Sequence, residues 1–171
     1  MLLFRTFLER LYPMKKVICV IDGQGGNIGA TLIKYIKTAF ENETEIIALG
    51  TNAIATSQML RAGAHKGASG DDAVCRTVMK ADCIVAPVSI TWANAMLGEV
   101  TARLAEAVMD SPALKVLLPL TQENVEIVGV VNEPLPHLVQ MAVAGKIREV
   151  LRPDETARKV LREYIPERKR A

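Results

Sequence analysis

The chain has 171 residues, which predicts one domain, and half of its residues are hydrophobic while only 4% are aromatic. The formal net charge is +2, but residues 1–145 carry 12 basic and 14 acidic groups whereas residues 146–171 carry 9 and 5. A slightly acidic body argues against a nucleic-acid-binding surface. No apolar run reaches the roughly 20 residues of a membrane span. We therefore expect a cytoplasmic globular protein with neither nucleic acid nor membrane as a partner.

The cysteines and the N-terminal residues give two further expectations, on redox state and on a signal peptide. The three cysteines form no CxxC pair, so we expect Cys19, Cys75 and Cys83 to be reduced core residues. Residues 1–13 begin like a signal peptide, but charged residues, beginning with Arg5, interrupt the apolar region. This segment is predicted to be a short helical extension, unless Met14 is the true start.

Short β-branched runs between turn residues predict six strands. They lie at residues 15–21, 45–50, 64–68, 83–90, 115–120 and 126–131. Helical stretches separate the first five strands, at residues 28–40, 53–62, 72–80 and 92–109. Strands that alternate with helices predict an α/β fold, a doubly wound, Rossmann-like and mainly parallel sheet.

The last third of the chain departs from this alternation. Only residues 121–125 separate the fifth and sixth strands, too few for a crossover helix, so we predict an antiparallel edge strand at 126–131. A helix is predicted near 137–150. Residues 151–171 have apolar residues at the spacing of a basic amphipathic helix. The nucleotide-binding domain is thus expected to span residues 14–150.

A glycine-rich loop follows the first strand and opens the first helix, and it is the strongest functional motif. A loop in this context lets a pyrophosphate approach the backbone closely, while the helix N-terminus supplies free amides and a positive dipole end. The alternative is a tight turn without a ligand. The predicted cofactor-binding residues of this loop are Asp22, Gly23, Gln24, Gly25, Gly26, Asn27, Ile28 and Gly29.

Two features of the loop leave the type of nucleotide open. Ile28 stands where GxGxxG has its third glycine, although the glycines also fit Gly23-x-x-Gly26-x-x-Gly29, the pattern of extended short-chain dehydrogenases. The charge of Asp22 could repel a pyrophosphate, or its carboxylate could accept hydrogen bonds from loop amides or help to hold a metal ion.

The end of the second strand bears on the choice between NAD and NADP. A ribose-binding acid is expected there, but the chain has Thr51 and Asn52. These side chains could bind a ribose hydroxyl or cap the next helix. Arg61 is a distant candidate for contact with a 2′-phosphate.

Four motifs point to a family. They are IDGQGG at 21–26, ALGTNAIATS at 48–57, NAMLGE at 94–99 and EIVGV at 126–130. Together they resemble a small bacterial family of domains of unknown function, over about residues 14–146. The resemblance implies a Rossmann-like fold and brings no known activity.

Ligands of doubly wound sheets bind at the switch point, beyond the ends of the first and fourth strands. Ser89, Thr91 and Asn94 are therefore predicted to face the cofactor, with the alternative that Thr91 caps the long helix and Asn94 lies in its first turn. Glu99 could be a partly buried acid or base, although a solvent-facing or helix-paired side chain is favoured. No metal site is predicted, because the two histidines are too few and too far apart in sequence.

The leading hypothesis is a protein that binds NAD, NADP or a related dinucleotide, with a reductase or dehydrogenase as the corresponding enzyme class. The alternatives are a non-catalytic nucleotide-sensing or partner-binding module, and an interaction protein whose glycine loop is only a turn. No complete catalytic set is present, and no Walker lysine follows the glycines. A homodimer is also expected, because the long helix at 92–109 and the tail helix both offer apolar faces.

Overall fold

A computed structural model of the chain describes residues 15–40, 42–121 and 124–152. The predicted extension at 1–13 and almost all of the predicted tail helix at 151–171 lie outside these ranges. Those two expectations therefore stay predictions.

The sheet has five strands, all parallel, in the order β3-β2-β1-β4-β5. This confirms the predicted α/β fold. From β1 the chain builds outward to β3 on one side and then crosses to β4 on the other, so the ends of β1 and β4 flank the switch point. The strands are β1 (Lys16–Asp22), β2 (Thr44–Gly50), β3 (Lys66–Ser69), β4 (Cys83–Pro87) and β5 (Leu114–Leu118).

Helices cover both faces of the sheet. They are α1 (Asn27–Phe40), α2 (Ala53–Arg61), α3 (Asp71–Thr77), α4 (Ala102–Asp110), α5 (Leu135–Ala142) and α6 (Arg148–Leu151). A π-helical turn, Val143–Ile147, joins the last two, and 3₁₀ turns span Val78–Lys80 and Val88–Thr91.

Two hydrophobic layers result because successive strand residues point to opposite faces. Ile18 and Val20 of β1 pack with α1, α2 and α5, whereas Cys19 and Ile21 pack with α3 and α4. Cys83 is buried in the first layer, so both of these strand cysteines are core residues, as expected. Cys75 is only half-buried.

The predicted long helix at 92–109 is wrong in its first half. Residues 92–100 form a series of turns, and α4 begins only at Ala102, where the Thr101 hydroxyl accepts a hydrogen bond from the Leu104 amide at 2.9 Å. The apolar periodicity predicted a helix here because Ala95, Met96 and Val100 are buried, but these residues lie in turns.

The predicted antiparallel strand at 126–131 is also wrong. Among the described residues, β5 pairs only with β4. The only backbone hydrogen bond within 125–131 joins the Val130 amide to the Ile127 carbonyl, at 3.2 Å. A β-branched run has the propensity of a strand, but propensity does not supply a partner for the backbone. In the part of the chain that is described, no helix combines the length and apolar character needed to cross a membrane.

Candidate functional site

A crevice of about 370 Å³ lies at the switch point, between the glycine loop, the end of β4 and the chain after β5. No lysine or arginine is among the described residues that line it. They are Asp22, Gly23, Gln24, Gly25, Gly26, Asn27, Ile28, Pro87, Ser89, Met96, Leu120, Thr121 and Leu135. The crevice therefore has backbone amides, one carboxylate, hydroxyls and an apolar wall.

The buried Asp22 carboxylate holds the loop against the first turn of α1. Its Oδ1 accepts a hydrogen bond from the Gly23 amide at 2.8 Å, and its Oδ2 accepts one from the Gly29 amide at 2.7 Å. Burial raises the pKa of Asp22, although hydrogen bonds from the amides of Gly29, Gly23 and Ile28 oppose the rise. Among the roles considered for Asp22, the structure shows that its carboxylate accepts hydrogen bonds from loop amides.

Two other loop amides are bonded within the protein. The Gln24 amide donates to Oε2 of Glu99 at 2.8 Å, and the Gly26 amide donates to the Gly23 carbonyl at 2.9 Å. The amides of Gly25 and Asn27 have no hydrogen-bond acceptor among the described residues. The anion-binding capacity of the loop is thus concentrated on these two groups.

Glu99 connects the loop to the end of β2. Besides the Gln24 amide, its Oε2 accepts hydrogen bonds from the Thr51 hydroxyl and from Nδ2 of Asn52. Although burial raises the pKa of Glu99, these hydrogen bonds outweigh it and hold the pKa below its ordinary value. Its Oε1 has no hydrogen-bond partner in the described part of the chain.

The turns at 92–100 bring Glu99 to this position. Asn94, Met96 and Leu97 adopt positive φ angles of 69°, 56° and 58°, a conformation that costs about 1–3 kcal/mol each in non-glycine residues. Backbone hydrogen bonds across the turn hold it, among them the Asn94 amide to the Val100 carbonyl at 2.7 Å. Such strain persists only where the surroundings enforce it, and it clusters at functional sites.

We expect Glu99→Gln to lower the free energy of unfolding by about 1–2 kcal/mol at pH 7, because a charged acceptor of three hydrogen bonds becomes neutral. Since the folded pKa of Glu99 is lowered, its stabilisation is complete above the unfolded value and is lost as the pH falls through the folded value. Urea unfolding between pH 7 and pH 3 should show the variant and wild type converging in acid. A constant difference would contradict the argument.

Most of the predicted site residues meet at the crevice. The residues from Asp22 to Ile28 and the buried Ser89 line it, while Gly29 lies behind, where a Cβ would be 2.4 Å from Sδ of Met59. Thr51 and Asn52 instead lie beside Glu99. Asn52 also caps α2, since its Oδ1 accepts a hydrogen bond from the Ala55 amide at 2.8 Å.

Two further predicted residues, Thr91 and Asn94, also do not line the crevice. The Thr91 hydroxyl donates to the Val88 carbonyl at 2.8 Å, so it does not cap a long helix, and Asn94 lies exposed in the turns rather than in a helix. The favoured interpretation of Glu99 as a solvent-facing or helix-paired residue was wrong. Sequence reasoning also missed Met96, Leu120, Thr121 and Leu135. The NAMLGE motif was the one signal that marked the Glu99 region.

The family model described as Domain of unknown function (DUF3842) matches residues 17–151. The chain belongs to that family. This confirms the family resemblance. A search among curated proteins found no match. The described residues include no group of three or more potential metal ligands.

Proposed function

We propose that this DUF3842 protein binds a nucleotide cofactor across its glycine loop, specifically NAD, NADP or a related dinucleotide. The observation that carries the proposal is a second groove, of about 320 Å³, on the α2 side of the loop. Gly25 lines both this groove and the switch-point crevice. Two cavities that meet at one glycine suit a ligand with two halves joined by a diphosphate.

Gly25 is the place for the diphosphate. A Cβ at this position would meet only Nδ2 of Asn27, at 3.6 Å, so the backbone is open to close approach. The Gly25 and Asn27 amides supply two donors, and the N-terminus of the 14-residue helix α1 adds its positive dipole end.

Glu99 is the candidate ribose-binding acid. Dinucleotide-binding folds place a carboxylate at the end of the second strand to accept hydrogen bonds from ribose hydroxyls. Here Glu99 brings a carboxylate to that strand end from the turns after β4, and its Oε1 is the oxygen available for a hydroxyl. The groove beside Gly25, which Glu99 itself does not line, extends along α2 to Arg61, the candidate contact for a 2′-phosphate.

The other half of the ligand would occupy the switch-point crevice. Pro87, Leu120 and Leu135 form an apolar wall there, and Ser89 and Thr121 add hydroxyls. A nicotinamide ring combines a flat apolar ring with one polar amide, which suits such a lining. Hydride transfer in a reductase or dehydrogenase is the corresponding reaction class, and oxidation of NADH or NADPH by a panel of carbonyl substrates tests it.

We expect saturating cofactor to stabilise the wild type and to leave Gly25→Val unaffected. At 100 times the dissociation constant the gain is about 2.7 kcal/mol, or a rise in melting temperature of about 5–10 °C. Thermal shift with NAD(H), NADP(H), ADP-ribose, mononucleotides and flavins measures it. Gly145→Val is the matched control, because a Cβ there meets nothing within 4 Å and Gly145 lies in the π-helical turn, outside both cavities.

A second candidate function is a non-catalytic nucleotide-sensing or partner-binding module. The partner-binding alternative is favoured by the Gly23, Gln24, Gly26 and Gly29 amides, which are all bonded to acceptors of the protein and so do not serve a phosphate. A melting temperature that no compound in the panel raises would reject nucleotide binding and leave the loop a structural turn. A shift without turnover would favour the sensing role.

A further inference from the structure

An apolar patch lies on the segment after β5 and on α5, and its residues line neither of the two cavities at the glycine loop. It comprises Val125, Ile127, Val128, Val130, Val131 and Met141. Val128 is 96% exposed and Val131 is 71% exposed, and the other four residues are between 37% and 58% exposed. From the area of a typical aliphatic side chain, the patch exposes roughly 300 Å² of apolar surface. Patches of this size on a soluble protein commonly mark an interaction site.

A groove of about 440 Å³ runs through the patch, between β5 and α5. Its walls are Leu117, Pro119, Leu138 and Met141, with Val130 and Val131 from the same irregular segment. Of its two charged residues, Lys146 forms an ion pair with Glu149, and Glu133 shares a hydrogen bond with Nδ1 of His137 at 2.6 Å. Both charged side chains of the groove are therefore engaged by other residues of the chain.

Backbone groups beside the groove also lack strand partners within the part of the chain that the structure describes. Among the described residues β5 has a neighbouring strand on one side only, so its other edge offers unpaired amides and carbonyls. Residues 125–131 make a single internal backbone hydrogen bond. Both the apolar groups and the peptide groups of this region would gain from a second polypeptide chain.

We infer that the occupant is a second copy of this chain, in a twofold dimer in which Val128 of each copy enters the groove of the other. The protruding Val128, at a turn with Gly129 at φ 86°, and the groove belong to the same chain. One isologous contact therefore buries both features on both copies. The partner contact lies at the β5 edge rather than on the helix faces considered from sequence.

The size of the patch agrees with a dimer. A stable interface buries about 800 Å² on each partner, of which somewhat more than half is apolar. The roughly 300 Å² of the patch supplies about two thirds of that apolar share. The groove walls and the edge of β5 supply the remainder.

Sedimentation velocity over a range of protein concentrations tests the inference. We expect the wild type to sediment as a dimer and Val128→Lys or Met141→Glu to raise the dissociation constant by about 30-fold or more. Met79→Lys is the matched control, because Met79 is also half exposed but lies in the 3₁₀ turn after α3, outside the patch. Circular dichroism checks that each variant is folded.

Mixing the two variants provides a sharper test. In a heterodimer of Val128→Lys with Met141→Glu, the new lysine meets the new glutamate at one contact, and the other contact is wild type. We expect the mixture to recover dimer that neither variant forms alone. This recovery requires residue 128 of one copy to face residue 141 of the other.

Two results would overturn the inference. One is a wild type that stays monomeric at all concentrations tested. The other is a dimer that survives both patch substitutions, with dissociation instead by Leu161→Asp in the predicted tail helix. Because the patch lies outside both cavities at the glycine loop, neither result bears on nucleotide binding.

Discussion

Gly26→Ala is expected to lower the free energy of unfolding by about 2–5 kcal/mol, a large part of the stability of a domain of this size. Gly26 has a φ of 70°, which L-residues adopt at a cost. A Cβ there would lie 2.7 Å from both Cα and the carbonyl oxygen of Ala55. Backbone atoms cannot yield as a flexible side chain does, so the loop and α2 must separate. Urea unfolding followed by circular dichroism measures the loss.

Gly25→Ala is the matched control for Gly26→Ala. It places the same methyl group one residue earlier in the same loop, where the nearest atom is the Asn27 side-chain nitrogen at 3.6 Å. We expect its stability to remain within about 1 kcal/mol of the wild type. Equal losses in the two variants would refute the close approach of the loop to α2.

Asp22→Ala is the second substitution with a large expected effect. We expect it to lower the free energy of unfolding by about 2–6 kcal/mol. The substitution leaves the amides of Gly23 and Gly29 without their acceptor, and a buried unsatisfied amide costs about 1–3 kcal/mol. Asp72→Ala is the control, since its ion pair with Arg103 is exposed to solvent and contributes little to stability. Chemical denaturation of both variants at pH 7 gives the comparison.

The penalty of Asp22→Ala should also depend on pH. Because the folded pKa of Asp22 is raised, the folded protein binds this proton more readily than the unfolded chain. The contribution of Asp22 to the free energy of unfolding is therefore greatest below the ordinary aspartate pKa. It falls as the pH rises through the pKa that Asp22 has in the folded protein. Asp22→Ala should therefore lower the free energy of unfolding more in acid than at pH 7. This pH dependence is opposite to the one expected for Glu99→Gln. If the loss of unfolding free energy in Asp22→Ala instead grew with pH, the hydrogen bonds from the loop amides would outweigh burial in setting the pKa of Asp22.

The amino-acid sequence by itself determined the architecture and the place of the candidate site. Four of the strands, β1, β2, β4 and β5, are short β-branched or apolar runs, and the alternation with helices leaves few topologies for the sheet. A glycine loop directly after the first strand must lie at the carboxyl edge of that sheet. Local patterns decide these features, because they depend on residues that are close along the chain.

Tertiary structure alone decided which groups complete the site. Glu99 reaches Thr51 and Asn52 across 48 and 47 residues of chain, through turns with three strained residues that apolar periodicity presents as a helix. Likewise, residues 126–131 have strand propensity but acquire no strand partner among the described residues. Hydrogen-bond partners and pairing edges are properties of the packed chain. The local pattern of residues sets which partners a segment needs, and only the folded molecule decides whether they are within reach.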